Sequence, residues 1–314
     1  MRHRGVALLT ALIIMATAAA IATAIFFDTG LLLRRAEGGV ARERAMFLAG
    51  ATEATAARIL REELDTGSAP IHPGQRWSTP LGPVEIEHAG IVRGQLVDLQ
   101  GGFNLNSLRK ATGEIDPVAL EVLERLLGVL ELDPNWAPKI ADWIDADDVP
   151  AIAGAEDDVY TALKPSYRPP NRPITSTTEL LLLPDFDMGL YARLAPHVSA
   201  LPRDATINLC SASAALLDAL VDERQWIGAE DALARNRERE CFPRRDVFKA
   251  GFRDVAAFSR IDQALGLGER SRYFQLHTQA VIGTTQFSLY SLLRYESAPP
   301  SPPGVRVLLR QTAE

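Results

Sequence analysis

The sequence predicts an α+β fold, and three features of its hydropathy pattern carry that prediction. An uncharged apolar run near the N-terminus is followed by a proline-free stretch as far as Asp65, which favours one long helix. Segments within 84–101 and 274–311 alternate apolar and polar side chains, as strands do. The residues between these segments have apolar side chains at helical spacing. We therefore expect a long N-terminal helix, a small α/β domain with an antiparallel sheet, and a large helical domain inserted into that sheet.

The first half of the N-terminal helix is predicted to cross a membrane. The 22 residues of Val6–Phe27 carry no charge, and as a helix they span about 33 Å, enough for the ~30 Å hydrocarbon core of a bilayer. A cleaved secretory signal is the alternative, because small residues such as Ala18–Ala20 imitate a cleavage site. By the positive-inside rule, Arg2 and Arg4 place the N-terminus in the cytoplasm and everything after Asp28 outside it.

The helix is predicted to continue beyond the membrane segment. The residues after Asp28 are rich in Ala, Arg, Glu and Leu, which favour helix, and their apolar members recur at helical spacing. Gly38 and Gly39 are expected to weaken or bend the helix locally. We predict one helix from about Val6 to Leu64, whose amphipathic second half packs on a globular domain.

The rest of the chain divides into strand-like and helical parts. A loop with three prolines and three glycines covers 66–82, and a hairpin is predicted around Gly90–Gly94. A capping box at Ser176–Glu179 is expected to open one of the helices in the middle of the chain. The predicted boundaries are 6–27 for the membrane segment, 28–103 with 268–314 for the α/β domain, and 104–267 for the inserted helical domain.

The composition bounds the function. The formal net charge is −7, and an acidic chain is a poor candidate for nucleic-acid binding, which depends on Lys and Arg. The sequence contains no serine-hydrolase elbow, zinc-peptidase motif or phosphate-binding loop. We therefore predict a protein that is not an enzyme. The alternative is a membrane-anchored periplasmic enzyme, or a carbohydrate- or DNA-binding protein.

The densest group of titratable residues runs from Asp142 to Asp158. These 17 residues contain no basic side chain and seven carboxylates, at Asp142, Asp145, Asp147, Asp148, Glu156, Asp157 and Asp158. A solvated helix end and loop is the simplest interpretation. The apolar residues interleaved with the acids, including Val149 and Ile152, instead predict that part of the stretch is buried.

Calcium is the ligand that this stretch favours. Ca²⁺ takes six to eight hard oxygen ligands, and zinc is disfavoured because no Cys or His lies nearby. We predict one or two structural calcium ions held mainly by Asp145, Asp147, Glu156 and Asp157. Asp142 lies one turn earlier on the predicted helix, where a solvent-facing role is as plausible as a ligand role.

Whether the two cysteines form a disulfide depends on the compartment of the globular domain. In an oxidising periplasm, Cys210 and Cys241 are expected to form one disulfide, and two buried free thiols are the alternative.

The N-terminus resembles the leader of type IV prepilins. "RG" followed by "VALLTALIIMA" is similar to the sites at which a dedicated peptidase of that family cuts after the glycine, here between Gly5 and Val6. The apolar helix is retained after this cut, so residues 1–5 are the leader. The sequence departs from major pilins at Thr10, where they carry a glutamate. This departure suggests a special place in a fibre, such as its tip.

Four further motifs occur in order. They are "NLNSL" (104–108), "DWIDADD" with "GAEDDVY" (142–148, 154–160), "PSYRPPNRPITSTTEL" (165–180) and "INLCSAS" (207–213). With the leader they resemble general secretion pathway protein K, the minor pseudopilin of type II secretion systems, over residues 1 to about 260. The resemblance implies a pilin-like α/β domain with a helical insertion, and bound calcium. Cys210 stands where the family is expected to have the second asparagine of "INxN".

The resemblance also implies a function and a location. A member of this family initiates assembly of the pseudopilus and limits its length during export of folded proteins across the outer membrane. The partners implied are the minor pseudopilins of the I and J types, the pseudopilus shaft, the prepilin peptidase, the secretin and the exported substrate. The expected location is the inner membrane, with a single pass, a cytoplasmic N-terminus and a periplasmic globular domain.

Overall fold

The computed structural model describes residues 3–65, 67–86, 90–221, 225–296 and 304–313. Its helices are α1 (His3–Leu64), α2 (Pro117–Val129), α3 (Trp136–Ile144), α4 (Asp157–Thr161), α5 (Met188–Leu194), α6 (Ala214–Leu220), α7 (Glu230–Arg237), α8 (Arg245–Ala250) and α9 (Val255–Leu265). Its strands are β1 (Leu81–Ile86), β2 (Gly90–Asp98), β3 (Phe103–Asn104), β4 (Val198–Ser199), β5 (Ile207–Asn208), β6 (Leu267–Gly268), β7 (Tyr273–Ile282), β8 (Thr285–Glu296) and β9 (Gly304–Ala313). The predicted α+β fold is confirmed.

Helix α1 is continuous and ends at Leu64, as predicted. It begins at His3, so the predicted cleavage site at Gly5–Val6 lies inside the helix, while residues 1–2 of the leader lie outside the described residues. From Val6 onward the helix is long and apolar enough to cross a membrane, and the apolar side chains of its first half are exposed. The Thr10 hydroxyl donates to the Ala7 carbonyl at 3.0 Å, so the polar group is satisfied within the helix.

The second half of α1 packs on one face of the sheet. Small residues such as Ala45, Ala49 and Ala56 are fully buried there, which lets the helix approach the strands closely. Glu53 is also buried in this interface. Its carboxylate accepts hydrogen bonds from Ser291 at 2.5 Å and from Arg310 at 2.8 and 3.0 Å, which join α1 to β8 and β9.

The sheet is antiparallel, with the order β1-β2-β7-β8-β9. The predicted hairpin is confirmed as the antiparallel pair β1–β2. Gly90 and Gly94 belong to β2 rather than to the connection, which covers 87–89, outside the described residues. Gly94 is needed for packing rather than for a turn. A Cβ there would lie 2.9 Å from the Thr52 methyl of α1.

Helices α2 to α9 form a helical lobe between β2 and β7 in the sequence. Its core is one large cluster that includes Leu123, Trp143 and Phe258. Two short parallel pairs, β3–β4 and β5–β6, lie within or beside this lobe. The predicted capping box forms at Ser176 and Glu179, but it opens a 3₁₀ helix over 177–182 instead of an α-helix. The domain boundaries given above stay predictions.

A buried polar network joins the lobe to the sheet. Asp98 at the end of β2 accepts hydrogen bonds from Asn208 at 3.0 Å and from Ser271 at 2.6 Å. Burial raises the pKa of Asp98, although these hydrogen bonds oppose the shift. Beside this network, Cys210 and Cys241 form the predicted disulfide. Its closed loop of 31 positions stabilises the fold by roughly 3–4 kcal/mol on a chain-entropy estimate.

Candidate metal centre

The acidic stretch begins on α3 and leaves it as a tightly pinned loop. Trp143 and Ile144 are buried in the lobe core, so the last turn of α3 is held firmly and Asp142 faces inward. The Asp142 carboxylate accepts hydrogen bonds from the backbone N–H of Ala151, at 3.1 Å to Oδ2, and of Ala155, at 2.9 Å. The loop is therefore folded back over the end of its own helix.

Gly154 makes this fold possible. A Cβ at this position would overlap the Oδ2 atom of Asp142 and lie 2.7 Å from its Cγ. No side chain larger than hydrogen fits without displacing the loop. The chain then turns into α4, and Glu156, just before that helix, returns beside Asp142.

Three carboxylates converge at this point. One oxygen each from Asp142, Asp145 and Glu156 lies within 4.8 Å of the other two, and the three residues are 1%, 5% and 2% exposed. Oδ1 of Asp145 and both carboxylate oxygens of Glu156 are buried without a hydrogen-bond partner. Buried polar atoms are normally paired, so this arrangement of oxygen donors fits a hard cation.

The electrostatics support the same interpretation. Burial, followed by the negative charges of the neighbouring acids, raises the pKa of Asp145 to about 7 and the pKa of Glu156 to about 8. Burial also raises the pKa of Asp142. Three carboxylates this close cannot all be ionised at neutral pH unless a positive charge offsets their repulsion.

The predicted ligands are divided by the structure. Asp145 and Glu156 lie in the cluster. Asp147 is exposed and its Oδ1 accepts the N–H of Val149 at 2.9 Å, while Asp157 forms an ion pair with Arg168 at 2.9 Å. Neither belongs to the three-carboxylate cluster in the described chain, although the charge of Asp147 contributes to the raised pKa of Asp145. The ligand roles of all four residues stay predictions.

Asp142 takes the inner position that the sequence left open. Asp142 lies in the last turn of α3 and Asp145 directly follows the end of that helix, and this spacing of three residues could have identified Asp142. Arg109, which supports the loop, was missed. The Arg109 guanidinium donates to the carbonyls of Ile144, Asp145 and Asn171, at 2.8, 3.1 and 3.0 Å. No local pattern predicts these contacts, because they connect segments more than 30 residues apart.

Asn171 holds the loop from its other side. Its side-chain amide donates to the Asp147 carbonyl and to the Asp148 carboxylate, both at 2.9 Å. It therefore acts as a loop support, as does Asn104, which accepts the Asn106 N–H at 3.2 Å.

The prediction that part of the acidic stretch is buried is confirmed by Trp143 and Ile144, but Val149 and Ile152 do not belong to the buried part. Val149 is 72% exposed and Ile152 is 97% exposed. Because Asp142 holds the loop backbone from the inside, the side chains of the loop tip point into solvent.

The chain is similar to proteins of type II secretion systems. A family profile described as "Type II secretion system (T2SS), protein K" matches residues 101–203, which include the whole acidic stretch. The chain is 31% identical over 305 residues to the type II secretion system protein K of Pseudomonas aeruginosa, covering 93% of this chain and 89% of that protein. It is 32% identical over 306 residues to the protein of the same name from Pectobacterium carotovorum, covering 93% and 92%.

A solved structure is also similar. It is the crystal structure of the GspK-GspI-GspJ complex from the type 2 secretion system of enterotoxigenic Escherichia coli, in which one chain matches with a TM-score of 0.75 and 26% identity. The match covers 89% of this chain and 99% of that chain. The names of these relatives describe components of a secretion system.

Proposed function

The chain belongs to the protein K family of type II secretion systems, and from this premise we propose that it is the minor pseudopilin at the tip of the pseudopilus. The observation that carries the proposal is α1, a helix that is apolar and exposed in its first half and packed on a sheet in its second. An exposed apolar half-helix has two uses. It holds the subunit in the membrane before assembly, and it packs among the equivalent helices of other subunits afterwards.

The tip position is supported by Thr10. A glutamate at this point of the helix would need a partner for its charge, and the amine of a neighbouring subunit could supply it. Thr10 satisfies its hydroxyl on the Ala7 carbonyl of its own helix and needs no subunit above it. The helical lobe adds bulk at one end, so further subunits join only below. The protein thereby initiates the fibre and limits its length.

The partners follow from the same position. The solved complex that resembles this chain contains GspI and GspJ, so the corresponding minor pseudopilins are the proposed neighbours of the helix. The prepilin peptidase cuts between Gly5 and Val6. The protein starts as a single-pass protein of the inner membrane with a cytoplasmic N-terminus and a periplasmic lobe. The secretin and the exported protein are the proposed contacts beyond the tip.

Calcium has a structural role in this proposal. Asp142, Asp145 and Glu156 hold one Ca²⁺ from the inside of the loop, and backbone carbonyls and water complete its coordination. The ion offsets the repulsion among three buried carboxylates and stabilises the pinned loop. Titration calorimetry of calcium into the chelator-treated protein should show binding, together with a rise in melting temperature. No heat and no change in melting would contradict the proposal.

The function is tested by deleting the gene and restoring it. Deletion should abolish or reduce export of the secreted proteins and lengthen the pseudopili, and the wild-type chain should reverse both effects. A Thr10→Glu variant tests the Thr10 argument separately, because at the tip its carboxylate would have no partner for its charge and the variant should restore export less well than the wild-type chain. Normal export and normal fibre length in the deletion strain would contradict the proposed function.

A further inference from the structure

A groove lies between the helical lobe and the face of the sheet that is turned away from α1. We call it the lobe–sheet groove. Its walls are Gln275 of β7, Tyr290 of β8, Leu309 and Gln311 of β9, and the lobe segments 175–178 and 191–200. Its volume is about 460 Å³, a size at which proteins hold small ligands or short chain segments.

The groove is lined by uncharged residues, some polar, such as Gln275 and Gln311, and some apolar, such as Leu292 and Leu309. None of the described residues that line it carries a charged side chain, although charged residues make up 23% of the sequence. Hydroxyl groups line the lobe side, where the Tyr191 hydroxyl lies 3.1 Å from the Thr177 hydroxyl. A charged ligand would lose its hydration here without gaining a counter-charge, so the lining favours an uncharged one.

One hydroxyl in the wall has no partner. Ser199 is 3% exposed, and its Oγ atom is buried without a hydrogen bond. Buried hydroxyls are normally paired, by protein, water or ligand. Since Ser199 lines the groove, its unpaired oxygen is an independent sign that a polar group from outside the chain belongs there.

The groove reaches an unpaired sheet edge. Strand β9 is last in the sheet order, and its outer side has no strand partner in the described part of the chain. The opposite edge, β1, is interrupted by Pro83 and by a shift of register between Leu81 and Val84. Strand β9 has no proline, and beyond the irregularity near Leu308 its end is regularly paired with β8. Such an edge offers free N–H and C=O groups to another strand.

The free edge of β9 runs along the lobe–sheet groove. Leu309 and Gln311 face the groove, whereas Arg310 between them faces α1 and contacts Glu53. A segment added to the edge of β9 would extend this alternation, so every second side chain of that segment would lie at the groove.

We propose that the lobe–sheet groove binds an extended polypeptide segment of another protein, which adds to β9 as an edge strand and inserts uncharged side chains into the groove. The main chain of the segment supplies affinity and the groove selects the side chains. The inference concerns the globular part alone and does not depend on the position of the protein in a pseudopilus.

The experiment uses the full chain in lipid nanodiscs and a random library of 12-residue peptides displayed on phage, with empty nanodiscs to remove non-specific clones. Enriched peptides should have uncharged residues at every second position. One of them, made synthetically with a fluorescent label, is then used in polarisation titrations. Methylating its backbone nitrogens at alternate positions should weaken binding at least tenfold on one set of positions and little on the other, as pairing along one edge requires.

Two variants locate the site. Ala200→Trp fills the groove, and Gln311→Lys places a charge at its exposed rim; each should weaken binding at least tenfold. The matched control is Ala256→Trp, on the exposed surface of α9, which should bind as the wild type does. The proposal is overturned if no peptide is enriched, if both N-methylated sets bind equally, or if Gln311→Lys, whose side chain is exposed and tolerates exchange, leaves binding unchanged.

Discussion

Replacing Gly154 by alanine tests the geometry of the acidic loop. The new Cβ would overlap Oδ2 of Asp142, so the loop must move away from the carboxylate. The hydrogen bonds from the Ala151 and Ala155 N–H groups to Asp142 are then lost. Hydrogen bonds to a charged acceptor contribute roughly 1.5–3 kcal/mol each. Because the loop is exposed and can relax, we expect a loss of about 3 kcal/mol in the free energy of unfolding.

The same change should also reduce the stabilisation of the folded protein by calcium. At a free calcium concentration one hundred times the dissociation constant, an ion that binds only the folded state stabilises it by about 2.7 kcal/mol. In the Gly154→Ala variant the carboxylates no longer converge, so this increment should fall below about 1 kcal/mol.

The assay is urea unfolding of the full chain, followed by tryptophan fluorescence, to which Trp143 contributes through its position against Tyr160 beside the cluster. It is run with saturating calcium and with chelator. Gly128→Ala is the matched control, because a Cβ there meets nothing within 4 Å and alanine favours helix more than glycine does in the last turn of α2. The reasoning is refuted if Gly154→Ala keeps the full calcium-dependent increment.

Three further predictions concern pH, the disulfide and the sheet contact. With calcium chelated, the free energy of unfolding should rise as pH falls from about 8 towards 5, since the raised pKa values of Asp145 and Glu156 make the folded state bind more protons than the unfolded chain. A loss of stability over this range, measured by chemical unfolding with chelator, would contradict the convergence of these carboxylates. Replacing Cys210 by serine should cost roughly 3–4 kcal/mol in urea unfolding, and reductant should then have no further effect, whereas an unchanged midpoint would show that the bond contributes nothing. Glu53→Gln should lower the free energy of unfolding by about 1–2 kcal/mol because it weakens the contact with Ser291 and the partly exposed Arg310, and a midpoint equal to that of the wild type would be evidence against this contact.

The main elements of the fold are predictable because their signals are local. Helix α1 ends at Leu64 as the pattern indicates, and β7, β8 and β9 cover most of the predicted strand-like region 274–311. The hairpin turn was misplaced because Gly90 and Gly94 carry a turn signal, whereas the structure uses Gly94 for contact with α1. A glycine needed for close packing and a glycine needed for a turn have the same letter in the sequence.

The candidate metal centre was likewise predictable only in part. The sequence alone determined that the acidic stretch is dense in oxygen donors and lacks zinc ligands. It also determined that the two cysteines are the right pair for a disulfide in an oxidising compartment. Which carboxylates face one another was decided by the tertiary structure. The loop follows the path set by Arg109 and Asn171, which puts Asp142 inside and leaves Asp147 in solvent. The physical reason is that the types of residue in a stretch are read directly from the sequence. Which charged side chains lie within a few ångströms of one another depends instead on contacts between segments that are distant in the chain.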